Sequence, residues 1–323
     1  MSATPATPAA AAGSVRRRHQ FGDRIQVFAP HRAHLPPLRP YIREYWARRR
    51  FAYELSRTNQ KATHFDSALG ALWLVLNPLL LGVVYFLLVS VLQGGAGDWV
   101  ANLGRILIGI FTWYYAQNAM SIGAGSVTAG GGLILNQAFP RALLPLSSVI
   151  TSFLMFLPSI PVYLVYYMLG SHFDSYEPSK LTLLKTPSAV AHHLPGLNPA
   201  LLWVPVLLVI LTVQIYGLAM IFATMTVYFR DSNKFLQYVL RIWLYLTPVL
   251  YDMSRYLTGG ALRKLLLYGN PLGPIIGSIV RCWTDGIGPS RTLLLASVGW
   301  AVVCFVLGAY FFISRERDFA VRI

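Results

Sequence analysis

The side chains that most often catalyse reactions or bind metals are sparse and scattered in this sequence. Four of the seven histidines lie in the amino-terminal 68 residues, and the two cysteines, Cys282 and Cys304, are 22 positions apart. That spacing fits neither a metal site nor a disulfide framework. His192 and His193 are adjacent and could share a metal ion, but a solvated pair in a loop is the simpler interpretation. We therefore expect no catalytic residue and no metal site in this chain.

The sequence also contains no nucleotide-binding motif and few ionisable residues within its apolar stretches for proton coupling. No stretch matches the G-x-x-x-x-G-K-[ST] phosphate-binding loop. Acidic residues are nearly absent from the long apolar stretches, with Asp252 at the edge of one of them. Proton-coupled transporters usually keep ionisable side chains in mid-membrane. If the chain transports something, we expect another subunit to supply the energy, and we expect no cofactor here.

Composition indicates the elements that would position any site. The 323 residues are 55% hydrophobic and 12% charged, whereas soluble domains contain about 25% charged residues. Several windows of about 20 residues carry almost no charge, which is the length of a transmembrane helix. The sequence therefore predicts an all-α polytopic membrane protein, one bundle with six transmembrane helices. The predicted spans are residues 68–92, 104–126, 144–169, 201–229, 235–251 and 291–313.

The charge distribution predicts the orientation in the plasma membrane. Residues 1–68 hold twelve Lys and Arg residues against four acids, and such a basic arm stays in the cytoplasm. Six spans then place both termini in the cytoplasm, with cytoplasmic connections at 127–143 and 230–234 and external ones at 93–103, 170–200 and 252–290. The external connection at 252–290 carries four basic residues, although basic residues usually mark cytoplasmic segments. The twelve basic residues of the amino-terminal arm outnumber them, so this orientation is kept. No nucleic-acid module accompanies the basic residues, so we expect no nucleic acid.

The segment before the first span divides into two parts. Residues 1–39, rich in Ala, Pro and Arg, predict a disordered basic cytoplasmic tail. Residues 40–66 predict an amphipathic interface helix, because aromatic residues recur at helical spacing and arginines follow them. This helix is either a simple membrane anchor or a gate whose arginines contact an anionic lipid headgroup. The candidate headgroup residues are Arg48, Arg49, Arg50 and Arg57.

Two short apolar runs precede the last predicted span. Residues 256–268 and 271–283 are each about 13 residues long, and the sequence GNPLGP divides them. Irregular backbone at membrane depth is tolerated where protein or a water-filled cavity surrounds it. The pattern predicts two short re-entrant helices beside a pathway, with an ordinary external hairpin as the alternative.

Four patches, in the same order and spacing, resemble one family of membrane proteins. They are SALGALWLVLNPLL (67–80), NQAFPRALLPLSSVI (136–150), YFRDSNKFLQYVLRIWLYLTPVLYD (228–252) and NPLGPIIGSIVRCW (270–283). Together they resemble the ABC-2 type permeases that export polysaccharides such as O-antigen and teichoic acid. The Ala/Pro/Arg-rich tail and the overall pattern are most similar to the mycobacterial permeases that export lipid-linked galactan. The resemblance identifies residues 67–323 as an ABC-2 transmembrane domain.

The resemblance implies how the chain would be driven. Two copies would form the pathway as a homodimer, and two copies of an ABC ATPase subunit, which would bind ATP and Mg, would drive it. Gly130–Gly132 would end the second helix, and the segment after them would contact the ATPase, with Phe139 as its apolar anchor. The candidate coupling residues are Gln137, Phe139, Pro140, Arg141, Arg230 and Asp231. The alternative is a plain loop in which Arg141 only determines topology, and Arg230 and Asp231 pair either with each other or with the ATPase.

A lipid-pyrophosphate-linked glycan would be the substrate, entering from the inner leaflet among membrane lipids. Sugars stack on aromatic rings, so aromatic side chains within the spans are candidates for its pathway. Such residues also collect at membrane interfaces and fill bundle cores. Arg241 either extends to the inner interface or lines the pathway. The pathway candidates are Trp73, Tyr85, Phe86, Trp113, Tyr114, Tyr115, Arg241, Trp243 and Tyr245.

Three other functions are compatible with parts of the sequence. An ABC-2 exporter of drugs or small lipids would share the fold and the coupling segment. An intramembrane glycosyltransferase would need catalytic residues in large loops, and these loops are small and poor in acids. A membrane anchor would have no use for the coupling-like segment. We therefore expect a transporter permease and not an enzyme.

Overall fold

The chain folds as a bundle of helices in the computed structural model, which describes residues 37–64, 70–92, 99–174 and 199–323. Within these ranges the structure has helices and no strand, so the predicted all-α class is confirmed. Short 3₁₀ turns span Gly70–Leu72, Pro199–Leu202 and Glu316–Asp318. The α-helices are α1 (Leu38–Ala47), α2 (Arg49–His64), α3 (Trp73–Leu92), α4 (Trp99–Ala129), α5 (Gly131–Asn136), α6 (Leu143–Phe156), α7 (Ser159–Asp174), α8 (Trp203–Tyr228), α9 (Ser232–Leu246), α10 (Ser254–Leu257), α11 (Ala261–Gly269), α12 (Gly273–Thr284), α13 (Arg291–Arg315) and α14 (Phe319–Arg322).

Two predicted regions fall mainly beyond these limits. The predicted tail at 1–39 lies outside the described residues up to position 36. Most of the predicted external loop at 170–200 does as well, including His192 and His193. In the part of the chain that the structure describes, no three His, Cys, Asp or Glu residues group as metal ligands.

The predicted interface helix is two helices that meet at Arg48. One face of α2 packs on α6, with Ala52 and Ser56 fully buried. The Thr151 hydroxyl donates to the Ser56 hydroxyl across 3.0 Å. Ile42 and Trp46 of α1 point away from the bundle and are exposed. The two faces follow from the helical period of the sequence, since residues four apart share a face.

The centre of the bundle is α4, which packs against α3, α6 and α8. It has 31 residues, and at 1.5 Å per residue it is about 46 Å long. Ile110, Ala116 and Ala119 are fully enclosed. A Cβ built on Gly123 of α4 would lie 2.7 Å from the Ala219 Cβ of α8. Small side chains at this crossing therefore allow the two helices to approach closely.

Helices α8 and α13 touch through their backbones. A Cβ added to Gly217 would overlap the Cys304 carbonyl, and one added to Gly308 would overlap the Gly217 carbonyl. Glycine is therefore required at both positions, as in other membrane helix pairs with small residues at the crossing. This contact fixes the position of the last long helix against the core.

Four described helical segments are long and apolar enough to cross a membrane: Trp73–Leu92, Leu143–Tyr166, Pro199–Tyr228 and Arg291–Arg322. The predicted second span lies within α4, which carries more polar and small residues and is enclosed by its neighbours. The predicted third span bends at Leu157 and Pro158, where α6 ends and α7 begins. Proline removes a helical hydrogen bond at such a point.

The predicted fifth span, 235–251, is shorter than expected. Helix α9 has 15 residues and ends at Leu246. Thr247 is extended, with φ −95° and ψ 143°. The ring of Pro248 disfavours the helical conformation for Thr247, the residue before it. At 1.5 Å per residue α9 is about 22 Å long, less than the thickness of a bilayer core.

The two apolar runs before α13 form a helical hairpin, α11 and α12, whose turn is buried. The Asn270 side chain accepts from Trp243 Nε1 at 2.7 Å and donates to the Thr247 hydroxyl at 3.0 Å. The Gln214 amide donates to the Pro271 carbonyl at 2.6 Å. Gln214 lies about 16 and 21 Å from the two ends of α8, as judged from helical rise. The hairpin turn therefore contacts the middle of α8, and the re-entrant position of the pair in the membrane stays a prediction.

We predict that Gly308→Ala lowers the unfolding free energy of the detergent-purified chain by about 1–3 kcal/mol, because the added methyl overlaps α8. Gly299→Ala is the matched control on the same helix, since a Cβ there meets nothing within 4 Å. Thermal unfolding followed by circular dichroism measures both. Equal melting temperatures for the two variants would show that the backbone contact is not required.

Candidate coupling site

Residues 137–142 connect α5 to α6, and this 137–142 connection contains most of the predicted coupling residues. Helix α4 ends at Ala129, directly before the three glycines, and α5 adds one and a half turns. A Cβ on Gly130 would lie 3.0 Å from both the Leu144 Cδ1 and the Ser126 carbonyl. Gly130 therefore permits the close return of the chain onto α6.

Three elements outside the connection bind its backbone. The Arg48 guanidinium of the first helix pair donates to the Ala138 carbonyl at 2.7 Å. The Tyr216 hydroxyl of α8 donates to the Ala142 carbonyl at 3.0 Å and also lies 3.0 Å from the Tyr45 hydroxyl. Backbone groups outside a helix need such partners when they are shielded from water.

Glu316 provides the third contact, from the end of α13. Its Oε1 accepts from the Arg141 amide, and its Oε2 accepts from the Tyr41 hydroxyl at 2.7 Å. The Arg141 guanidinium donates to the Glu316 main-chain carbonyl. Burial and the nearby carboxylate raise the pKa of the Tyr41 hydroxyl, so Tyr41 stays a donor at neutral pH.

The predicted coupling residues divide into internal and exposed ones. Phe139 packs on Phe51, with ring centroids 5.2 Å apart, and Pro140 is buried. Arg141 is half-buried, and its burial lowers the pKa of the guanidinium while Glu316 opposes this shift. Gln137 is exposed. The assignment of all four to the ATPase contact stays a prediction.

The exposed residues at this end form one accessible surface, which we call the coupling face. Leu135 is 66% exposed and Phe229 is 69% exposed, although both are apolar. Helix α9 starts near the end of α4, since a Cβ on Gly125 would lie 3.7 Å from the Asn233 Nδ2. The 137–142 connection and the 229–231 corner are therefore at the same end of the bundle. The coupling face comprises Leu135, Asn136, Gln137, Ala138, Phe229, Arg230 and Asp231, all exposed.

The carboxyl terminus folds back to this same end. The Tyr228 hydroxyl donates to the Asp318 carboxylate at 3.0 Å. The Arg322 guanidinium lies 4.3 Å from the centre of the Tyr228 ring. A Cβ on Gly131 would lie 2.6 Å from the Ile323 Cγ2. The last residues of the chain thus lie beside the coupling face.

The predicted pathway residues lie in two environments. Trp113 and Tyr115 of α4 are only 1% and 2% exposed. The Trp113 indole N–H donates to the Gln117 side-chain oxygen. The Tyr115 hydroxyl lies 2.9 Å from the Thr212 hydroxyl. Tyr85 of α3 and Tyr245 of α9 instead share an outer face, with hydroxyls 3.3 Å apart. Trp73, Tyr245 and Arg241 are exposed, and Tyr85, Phe86, Tyr114 and Trp243 are half-buried.

The four predicted headgroup arginines all lie on the exposed side of α1 and α2 or at their junction. Arg48 also pairs with Glu44 at 3.1 Å. Arg49 stacks over the exposed Trp46 ring at 5.0 Å. The structure therefore places apolar and cationic groups together on this outer face.

The opposite end of α4 holds an ion network that was not predicted from the sequence. Arg105 lies 3.6 Å from Asp252 and 3.7 Å from Asp285, and Arg281 lies 3.5 Å from Asp285. Burial acts to raise the pKa of Asp252, but the Ser254 amide and the Arg105 charge bring it below its ordinary value. The signal in the sequence was Arg105, a lone arginine at the start of an apolar span. A charged side chain at such a position needs a partner, here from another segment.

The fold and the long apolar helices define a multi-pass membrane protein. Over 283 residues the chain is 27% identical to the O-antigen export system permease protein RfbA of Myxococcus xanthus, covering 87% of this chain and 98% of the relative. Two proteins of the same name from Klebsiella pneumoniae are 27% and 25% identical over 201 residues, covering 61% of this chain and 67% of each relative. No protein-family profile matches the chain. The resemblance to polysaccharide-export permeases is therefore confirmed.

We predict that Arg105→Ala lowers the unfolding free energy by about 1 kcal/mol, because two half-buried carboxylates lose a shared cation. Asp252→Asn in that background should recover part of the loss. Arg291→Ala, at an exposed position, serves as the control and should change little. Thermal unfolding in detergent measures the series; a loss that Asp252→Asn deepens would contradict the ion network.

Proposed function

We propose that this chain is the membrane subunit of an ATP-driven ABC exporter that moves a lipid-linked polysaccharide, a galactan or an O-antigen-like glycan, across the plasma membrane. The observation that carries the proposal is the similarity to O-antigen export permeases over nearly the whole length of one relative. Two copies of the chain form the pathway, and two copies of a separate ATPase subunit bind ATP and Mg. Both termini lie in the cytoplasm, and six segments cross the membrane.

The coupling face supports the proposed ATPase contact. It exposes the apolar side chains of Leu135 and Phe229 at one end of the bundle, where Arg48 and the carboxyl terminus also lie. Exposed apolar groups rimmed by polar ones are typical of protein interaction sites. Phe139 and Arg141 stabilise the conformation of the 137–142 connection through contacts within the chain. Gln137 contacts the ATPase directly.

The outer face of α3 and α9 supports the proposed glycan route. Tyr85 and Tyr245 present ring edges and hydroxyls side by side, with centroids 6.0 Å apart. Arg241 is exposed one turn before Tyr245 on the same helix. Aromatic rings supply stacking surfaces for sugars, and the guanidinium supplies a partner for pyrophosphate. In a homodimer this face lines the route between the two copies.

We predict that Leu135→Glu and Gln137→Glu reduce copurification of the ATPase with the tagged chain at least fivefold, without lowering its melting temperature. Arg291→Glu, at the opposite end of α13, is the control and should retain the ATPase. Retention of the ATPase by both coupling-face variants would move the contact elsewhere. Absence of any ATPase with the wild-type chain would contradict the transporter proposal itself.

We predict that Tyr245→Ala lowers export of lipid-linked glycan about fivefold, the loss of roughly 1 kcal/mol of ring contact, and that Arg241→Ala lowers it as well. Val303→Ala on the exposed side of α13 is the control. Transport of the glycan into the lumen of inverted membrane vesicles, with the ATPase retained, measures the effect. Normal export by both variants, or ATPase stimulation by hydrophobic drugs and not by glycolipid, would favour a drug or small-lipid exporter.

A further inference from the structure

Glu316 bridges three elements that are far apart in the chain. It follows the last residue of α13 and is half-buried. One carboxylate oxygen accepts from the Arg141 amide, and the other accepts from the Tyr41 hydroxyl. These partners are 175 and 275 positions away in sequence.

The bond to Arg141 satisfies a backbone donor of the 137–142 connection, two residues before α6 begins at Leu143. The amides of Leu143 and Leu144 are bonded instead to the carbonyls of Pro140 and Arg141. A negative charge near a helix amino terminus is favoured by the helix dipole. Glu316 therefore holds the chain directly before α6 and places its charge near the start of that helix.

The same connection is joined to α8 through Tyr216, which binds the Ala142 carbonyl. Helices α8 and α13 are themselves in backbone contact at Gly217 and Gly308. The 137–142 connection is thus bonded to two helices that touch one another, although the chain joins it directly to neither of them.

We propose that Glu316 is a positioning residue that fastens the 137–142 connection to α13, so that displacement of the connection moves α13 together with α8. This inference rests on the proposed function, because the displacement would come from an ATPase at the coupling face. Without the Glu316 carboxylate, the connection would keep only the Tyr216 bond to α8 and the bond from the Arg141 guanidinium to the Glu316 main-chain carbonyl on this side of the bundle.

Replacing the carboxylate by an apolar side chain of similar size tests this role. Glutamine is unsuitable, because its oxygen can still accept from the Arg141 amide while its NH2 group donates to the Tyr41 hydroxyl. Glu316→Leu removes both acceptor oxygens. Tyr41→Phe removes the Tyr41 bond alone and leaves the bond to the Arg141 amide. Glu44→Leu is the matched control, because Glu44 is an exposed carboxylate of the same region whose partner is Arg48.

The first test is hydrogen exchange of the purified wild-type chain and its variants in detergent. We expect Glu316→Leu to raise the exchange rate of the Arg141 amide about tenfold, the effect of losing one hydrogen bond to a charged group. Tyr41→Phe should raise it less, and Glu44→Leu should leave it unchanged. An unchanged rate in Glu316→Leu would overturn the proposed fastening, whatever the chain transports.

The second test uses the complex with the ATPase and measures glycan exported per ATP hydrolysed. We expect Glu316→Leu to retain the ATPase and its hydrolysis but to export at least threefold less glycan per ATP. Faster exchange with an unchanged ratio would overturn the role in transmission. Failure of the wild-type chain to bind any ATPase would contradict the proposed function, while the exchange result would still decide whether Glu316 holds the connection.

Discussion

The backbone of the 137–142 connection lies outside any helix, and distant side chains bind several of its groups. Arg48 supplies one partner from the first helix pair, Tyr216 supplies one from α8, and Glu316 supplies one from the end of α13. Because these partners are far apart in the chain, one short connection holds α1, α8 and the carboxyl terminus at the same end of the bundle. The coupling face is the outer surface of that arrangement.

Small residues determine how the long helices meet behind this end. Gly123 lies against Ala219, and Gly217 lies against Gly308, so α8 is held closely between α4 and α13. In a membrane, helices gain little from burying apolar surface, and close backbone approach becomes the main source of packing energy. The three helices are therefore packed as one unit, as the proposed transmission of a displacement requires.

The opposite half of the bundle is organised around buried polar groups. Asn270 joins the α11–α12 hairpin to α9, and Gln214 joins it to α8. Arg105 joins the start of α4 to Asp252 and Asp285. Polar groups shielded from water are costly without partners. These bonds therefore specify one position for the hairpin beside the outer face of α3 and α9, where the proposed glycan route lies.

The sequence by itself determined the helical class, the membrane setting and the family resemblance, because apolar runs, charge asymmetry and local motifs are encoded along the chain. It also located the turn after Ala129 and the hairpin before α13. Only the tertiary structure decided which coupling residues are exposed: Phe139 packs on Phe51 and Arg141 binds Glu316, whereas Leu135 and Gln137 face outward. The tertiary structure also decided which predicted pathway residues are accessible, since Trp113 and Tyr115 are buried and Tyr245 is exposed. The reason is physical: a side chain's partner can lie up to 275 positions away, and neither residue type nor local spacing records which distant segment will supply it.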